Sequence, residues 1–107
     1  MDYIVAPFTV ICDSREQAGF TFQGLRADAH KDYRPLVVPV EVDGLPTGDY
    51  SIKGFETRLA IERKSASDAY STFCHDRDRF ERELARLQVM EFAAVVIESC
   101  WPALIHN

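Results

Sequence analysis

Asp49, Glu62 and Lys64 are the residues of this chain whose types and spacing could do chemistry. They flank or end two alternating segments, Tyr50-Ser51-Ile52-Lys53 and Arg58-Leu59-Ala60-Ile61-Glu62, with Gly54-Phe55-Glu56-Thr57 between them. If those four residues close a hairpin and Lys53 faces Arg58, the register sets Ile52 opposite Leu59, Tyr50 opposite Ile61 and Asp49 opposite Glu62. The apolar pairs then share the face that a core selects. Asp49, Ser51, Ala60 and Glu62 share the other, and Lys64 joins them two residues further on. Paired carboxylates repel at a cost of up to about 1 kcal/mol, which a bound cation removes. Donors that are all oxygen suit Mg²⁺ or Mn²⁺ rather than zinc. A lysine beside such a cation can orient or deprotonate a water. Together these supply what phosphodiester hydrolysis needs: a polarised phosphoryl oxygen, an activated water and a neutralised developing charge. The bland alternative is a solvated hairpin face, which often carries two acids and a lysine. Geometry alone does not choose between the two.

The surrounding elements have to hold that face in place. Phe8-Thr9-Val10-Ile11-Cys12 reads as a buried first strand ending at Asp13-Ser14. Residues 17–35 read as a loop with a short helix around Leu25 to Tyr33. Leu36 to Val42 is strand-like, but Pro39 lacks a ladder donor and marks an edge or a bulge. Asp43-Gly44-Leu45-Pro46 is a turn. After Lys64 the period changes: Ser65 can cap a helix over Ala66 to Phe73. Asp78 with Glu81 can cap a second helix whose buried stripe is Phe80, Leu84 and Leu87. Phe92 to Ile97 is an unbroken apolar run, expected to be a central strand covered on both faces. Strands, then helices, then a strand predict a single α/β domain with a mixed sheet flanked by helices. The tail from Trp101 to Asn107 is left unassigned.

Other groups carry weaker signals. Cys12, Cys74 and Cys100 are too scattered for a disulfide framework, and Cys12 and Cys100 are expected to pack as small hydrophobes. Cys74-His75 lacks a second ligand pair, so zinc is not expected. Arg79, Arg82 and Arg86 fall at i, i+3 and i+7, a helical stripe that could track phosphates. Interleaved Glu81 and Glu83 favour a solvated helix face instead. The net charge of −5 is unusual for a nucleic-acid binder, although a carboxylate site is acidic by construction and a bound divalent cation reverses its field.

Gly48-Asp49, followed after twelve residues by Glu62-Arg63-Lys64-Ser65-Ala66-Ser67-Asp68, closely resembles the GDXnERKX3D signature of the XPF/Hef-type (ERCC4-domain) nucleases, a branch of the PD-(D/E)XK superfamily. Asp13-Ser14-Arg15-Glu16 is similar to the family's D-x-R-E. Arg79-Phe80 through Arg86-Leu87, and the strand Ala93 to Glu98, follow in the family's order. The likeness spans about residues 8–98. It implies a restriction-endonuclease-like fold and an endonuclease cutting branched, flap or junction DNA with Mg²⁺ or Mn²⁺. Asp49 and Glu62 would hold the metal with the backbone carbonyl of Arg63, and Asp13, with Glu16, would hold a second metal or its water shell. Lys64 would position the water. Asp13 and Glu16 would border the site, and Arg15 would meet substrate phosphate or lock these acids in place. Arg63 points away from the catalytic face in the register above. Asp68 is equally well explained as half of a capping box with Ser65.

Members of that family usually add a helix-hairpin-helix domain and work as dimers. The 107 residues are read as the nuclease domain without that module, either cut short or a small stand-alone form. DNA is the expected partner, with a homodimer or a partner supplying the missing DNA-binding module. The rival readings are a catalytically silent DNA- or partner-binding module on the same fold, and an acidic interaction domain. No apolar run is long enough for a membrane span, and an intracellular setting is expected, cytoplasmic in a prokaryotic or viral host and nuclear in a eukaryote.

Overall fold

A computed structural model describes residues 2–16, 19–28 and 33–99. Among the described residues seven strands and two helices follow one another: β1 (Ile4–Val5), β2 (Val10–Asp13), β3 (Leu36–Val37), β4 (Val40–Asp43), β5 (Tyr50–Ile52), β6 (Leu59–Ser65), α1 (Ala66–His75), α2 (Arg77–Gln88) and β7 (Phe92–Glu98). Five strands form a mixed sheet in the order β4-β2-β5-β6-β7, and β1 pairs with β3 in a small parallel ribbon. The strand foreseen over Leu36 to Val42 is split at Val38-Pro39. Its second half, β4, is an edge strand parallel to β2, where a proline without a donor does least harm. Pro39 contributes its carbonyl instead, accepting from Val10 N at 2.9 Å.

The hairpin register is the one that sorting by face predicts. Tyr50 pairs with Ile61 across antiparallel β5 and β6. Gly54, at φ +93°, turns the chain between the two strands. The burial, however, differs from a one-sided hairpin. Tyr50 is buried beneath Phe20 and Phe22, its ring centroid 5.1 and 6.4 Å from theirs. On the opposite face Ser51, Ala60 and Lys64 are just as buried. The sheet is sandwiched, with the segment around Phe20 on one side and the helices on the other, so the polar face of the hairpin is interior rather than solvated.

Ser65 caps α1 as expected, accepting from Asp68 N at 3.2 Å. The second cap is Asp76 rather than Asp78: its carboxylate accepts from Arg79 N at 3.2 Å, so α2 starts at Arg77 and Asp78 lies in its first turn. Phe80 and Leu84 are partly buried and Leu87 is buried, as the stripe requires. β7 runs parallel to β6 from Leu59↔Phe92 to Ser65↔Glu98. It is the edge of the five-stranded sheet and is largely exposed, not the central strand that its apolar run suggests. Within it only Val95 and Ile97, which pair with Glu62 and Lys64 on the helix side, are partly buried. Residues 25–28 and 33 form no helix, Arg26 and Pro35 making an isolated bridge instead. Residues 29–32, Cys100 and the tail lie outside the described residues.

Candidate active site

The site is built where β5 begins and β6 ends. Gly48 has φ +81°, and a Cβ there would stand 3.1 Å from Ile61 O and 3.2 Å from Ala60 Cβ. Only glycine lets the chain pass so close to β6 in that conformation. The close passage allows Asp49 N to donate to Ile61 O at 2.8 Å, while the Asp49 carboxylate accepts from Arg63 N at 2.8 Å. Asp49 is thereby fixed on the face of Glu62 and Lys64. These three line one cleft of 280 Å³ together with Glu16, Asp68 and Arg79.

The electrostatics of this cleft are unbalanced. Burial, then the charge of Asp49, pushes the Glu62 carboxyl up to about 7, with Lys64 opposing and Glu83 adding to the rise. Asp49 is also raised, by burial first; the Arg63 N–H bond opposes this, and Glu16 and Asp13 add to it. Lys64 Nζ lies 3.8 Å from Glu62 Oε1 and 3.1 Å from Glu83 Oε2. Glu83 is the residue that sequence reasoning missed, where it counted only as one of the charges on a solvated helix. No local signal pointed to it: the burial of Lys64, which calls for an anion from whatever packs over β6, emerges only from the fold.

The remaining expected residues divide between the cleft and its supports. Asp13 is buried, with Oδ1 accepting from Leu45 N at 2.8 Å and Oδ2 from Arg15 Nε at 2.8 Å and Arg15 N at 3.3 Å. Burial pushes its carboxyl up, but those bonds outweigh it and hold Asp13 below the ordinary range. Its oxygens face this corner, and Asp13 does not line the cleft. Arg15 is largely exposed at the same corner, also donating to Leu45 O at 3.2 Å.

Arg63 takes the opposite face from Lys64, as its position in the strand dictates. Its guanidinium sits 4.4 Å over the Phe20 ring and pairs with Glu98, with Glu16 at 3.9 Å. This clamp holds the peptide whose N–H grips Asp49. Asp68 both borders the cleft and receives the Ser65 cap. On α2, Arg79 reaches the cleft and Arg86 acts on Glu62 through its charge, whereas Arg82 is exposed and does not line the cleft.

Among the described residues no three His, Cys, Asp or Glu side chains form a ready-made metal cage. Asp49 and Glu62, two oxygen donors in one cleft, nonetheless fit Mg²⁺ or Mn²⁺ in type and number: such ions take one or two carboxylates and keep several waters.

A mixed five-stranded sheet flanked by two helices, with an Asp, a Glu and a Lys on one face of adjacent antiparallel strands, is a restriction-endonuclease-like α/β domain. The family model described as ERCC4 domain matches residues 12–105, and the chain belongs to that family. This is the family that the GDXnERKX3D motif resembles, and membership ties the chain to a nuclease-related function on DNA. No curated protein and no solved structure matches it. No helix among the described residues is long and apolar enough to cross a membrane.

Proposed function

We propose that this chain is a metal-dependent endonuclease domain that hydrolyses phosphodiester bonds in branched, flap or junction DNA, in repair or recombination. The observation that carries the reading is the convergence of Asp49, Glu62 and Lys64 on one cleft, where two crowded carboxylates lack a full countercharge. Asp49, Glu62 and the backbone carbonyl of Arg63 would hold Mg²⁺ or Mn²⁺. When bound, that ion supplies Lewis-acid polarisation of a phosphoryl oxygen and acidifies water. Lys64 holds the attacking water in line with the phosphorus. Glu16 and Asp68 border the cleft and order its water shell. Asp13 and Arg15 lock the corner behind Asp49, and Arg79 and Arg86 meet the substrate's phosphates. The domain works as a homodimer or beside a partner that supplies a DNA-binding module.

A second reading, a catalytically silent DNA-binding module, draws on the engagement of Lys64 by Glu83. One experiment decides between them. Labelled branched and single-stranded DNA is incubated with the chain and Mn²⁺ or Mg²⁺, beside Asp49→Asn and Lys64→Ala. Metal-dependent cutting that falls by at least about 100-fold in both variants establishes the nuclease. Binding without cutting supports the silent module, and cutting that survives both substitutions removes the assigned residues from the chemistry.

A further inference from the structure

Lys64 has two carboxylates within reach and divides itself unequally between them. Glu83 Oε2 and Oε1 lie 3.1 and 3.3 Å from Nζ. Glu62 Oε1 lies at 3.8 Å, beyond hydrogen-bond range. The pull comes from outside the sheet, because Glu83 is carried by α2. Its own side chain is 13% exposed, and Arg79 Nε one turn earlier stands 3.6 Å from Oε1 on the cleft side. Glu83 is therefore a largely desolvated anion held in place by a cation on either hand.

The two acids compete for one ammonium. The Lys64 side chain is only 6% exposed, so water cannot replace a lost partner at little cost. Were Glu83 neutral, the nearest anion for Nζ would be Glu62. A direct Lys64–Glu62 pair would tie up a carboxylate that a divalent cation needs, and would spend on Glu62 the ammonium protons that can hold a water. We propose that Glu83 is a positioning residue of this site: it holds the Lys64 ammonium off Glu62, leaving Glu62 to a divalent cation and Lys64 to the attacking water. This rests on the nuclease reading above and adds a residue to it.

The test is a double-mutant cycle read by Mn²⁺ affinity, from the free-ion electron paramagnetic resonance signal, on wild type, Glu83→Gln, Lys64→Ala and the double variant. Glu83→Gln keeps the side-chain volume and an acceptor, and the double variant removes both partners together. With Lys64 present, Glu83→Gln weakens Mn²⁺ binding about tenfold; with Lys64→Ala it changes binding by about twofold or less, its remaining long-range charge effect. Equal factors in the two backgrounds would show that Glu83 acts on the metal directly, and would overturn the proposal. A crystal structure of metal-free Glu83→Gln reads the lysine itself. Nζ is expected within hydrogen-bond distance of Glu62, and Nζ left in its present position sinks the idea. If Glu83→Gln does not fold, Glu83→Asp, one methylene too short to hold Nζ in place, is read in the same two ways. Absence of Mn²⁺ binding by wild type counts against the nuclease reading, and the crystal structure then still decides the role of Glu83.

Discussion

Asp49 is held to Arg63 through the backbone: the Arg63 N–H points its hydrogen at Asp49 Oδ2 from 2.8 Å, while the Arg63 side chain is anchored on the far face of the sheet over Phe20. One residue thus orients an acid on the cleft face and is itself oriented from the other. The arrangement depends on β5 starting close against β6, and Gly48 makes that approach possible.

Gly48→Ala tests that dependence. The substitution forces a Cβ into a left-handed conformation and against Ile61 O and Ala60 Cβ. A loss of about 2 kcal/mol is expected, measured by urea denaturation, with metal-dependent cleavage falling as Asp49 shifts. An unchanged midpoint would show that β6 yields easily at this point.

Stability should depend on pH through Glu62. Its folded value, about 7, lies above its ordinary 4.5, so between those values the native state binds more protons than the unfolded state. Stability then falls as pH rises through that window, and the full penalty is present above it. Glu62→Gln removes this slope and raises the metal-free unfolding free energy above pH 7 by about 1 kcal/mol after solvent screening. Metal binding runs the other way, since the ion needs the carboxylate: Mn²⁺ affinity climbs through the same window and levels off above it. Thermal melts with and without Mn²⁺ from pH 5 to 8 check both signs. A flat metal-free profile would mean that Glu62 is not buried in this way.

Asp13 is expected to act on the fold before it acts on the chemistry. Asp13→Ala leaves the Leu45 N–H without its acceptor and should cost about 1–3 kcal/mol, whereas Asp13→Asn keeps that acceptor and costs less. Because its folded value is depressed, the contribution is present above pH 3.8 and is lost as pH falls through the lower folded value. Urea midpoints for both variants distinguish this from a purely catalytic role, which would leave them unmoved.

The three arginines of α2 should separate in a salt titration of DNA binding in Ca²⁺. Arg79 lines the cleft and Arg86, though exposed outside it, is near enough for its charge to act on Glu62, whereas Arg82 does neither. Arg79→Ala and Arg86→Ala should each reduce the slope of log affinity against log salt by about 0.9, and Arg82→Ala should leave it unchanged. Equal effects from all three would make the whole stripe the phosphate track.

Local chemistry made much of this legible in advance. Alternation either side of Gly54 fixed the pairing of Tyr50 with Ile61, and Ser65 three residues before Asp68 announced the start of α1. Long-range packing was harder to read. The apolar run of β7 looks central, yet it forms a largely exposed edge, and the α2 cap expected at Asp78 is Asp76, two residues earlier. The polar hairpin face looked solvated because nothing local says which helix will cover it. For the same reason Glu83 passed as a surface charge. A partner brought in from nineteen residues away leaves no periodic trace in either segment.

The parallel pairing of β6 with β7 also sets an order of events. β6 carries Glu62 and Lys64, and seven residue pairs with β7 complete its ladder, yet β7 follows only after both helices. Closing that crossover is a non-local step, slower than forming either helix or the hairpin. A nascent chain can make the hairpin early, but the strand bearing the acid and the lysine stays half-paired until residue 98 has left the ribosome. Pairing of β7 thus completes the strand that carries the cleft, and a chain truncated before Phe92 would leave β6 as an unpaired edge.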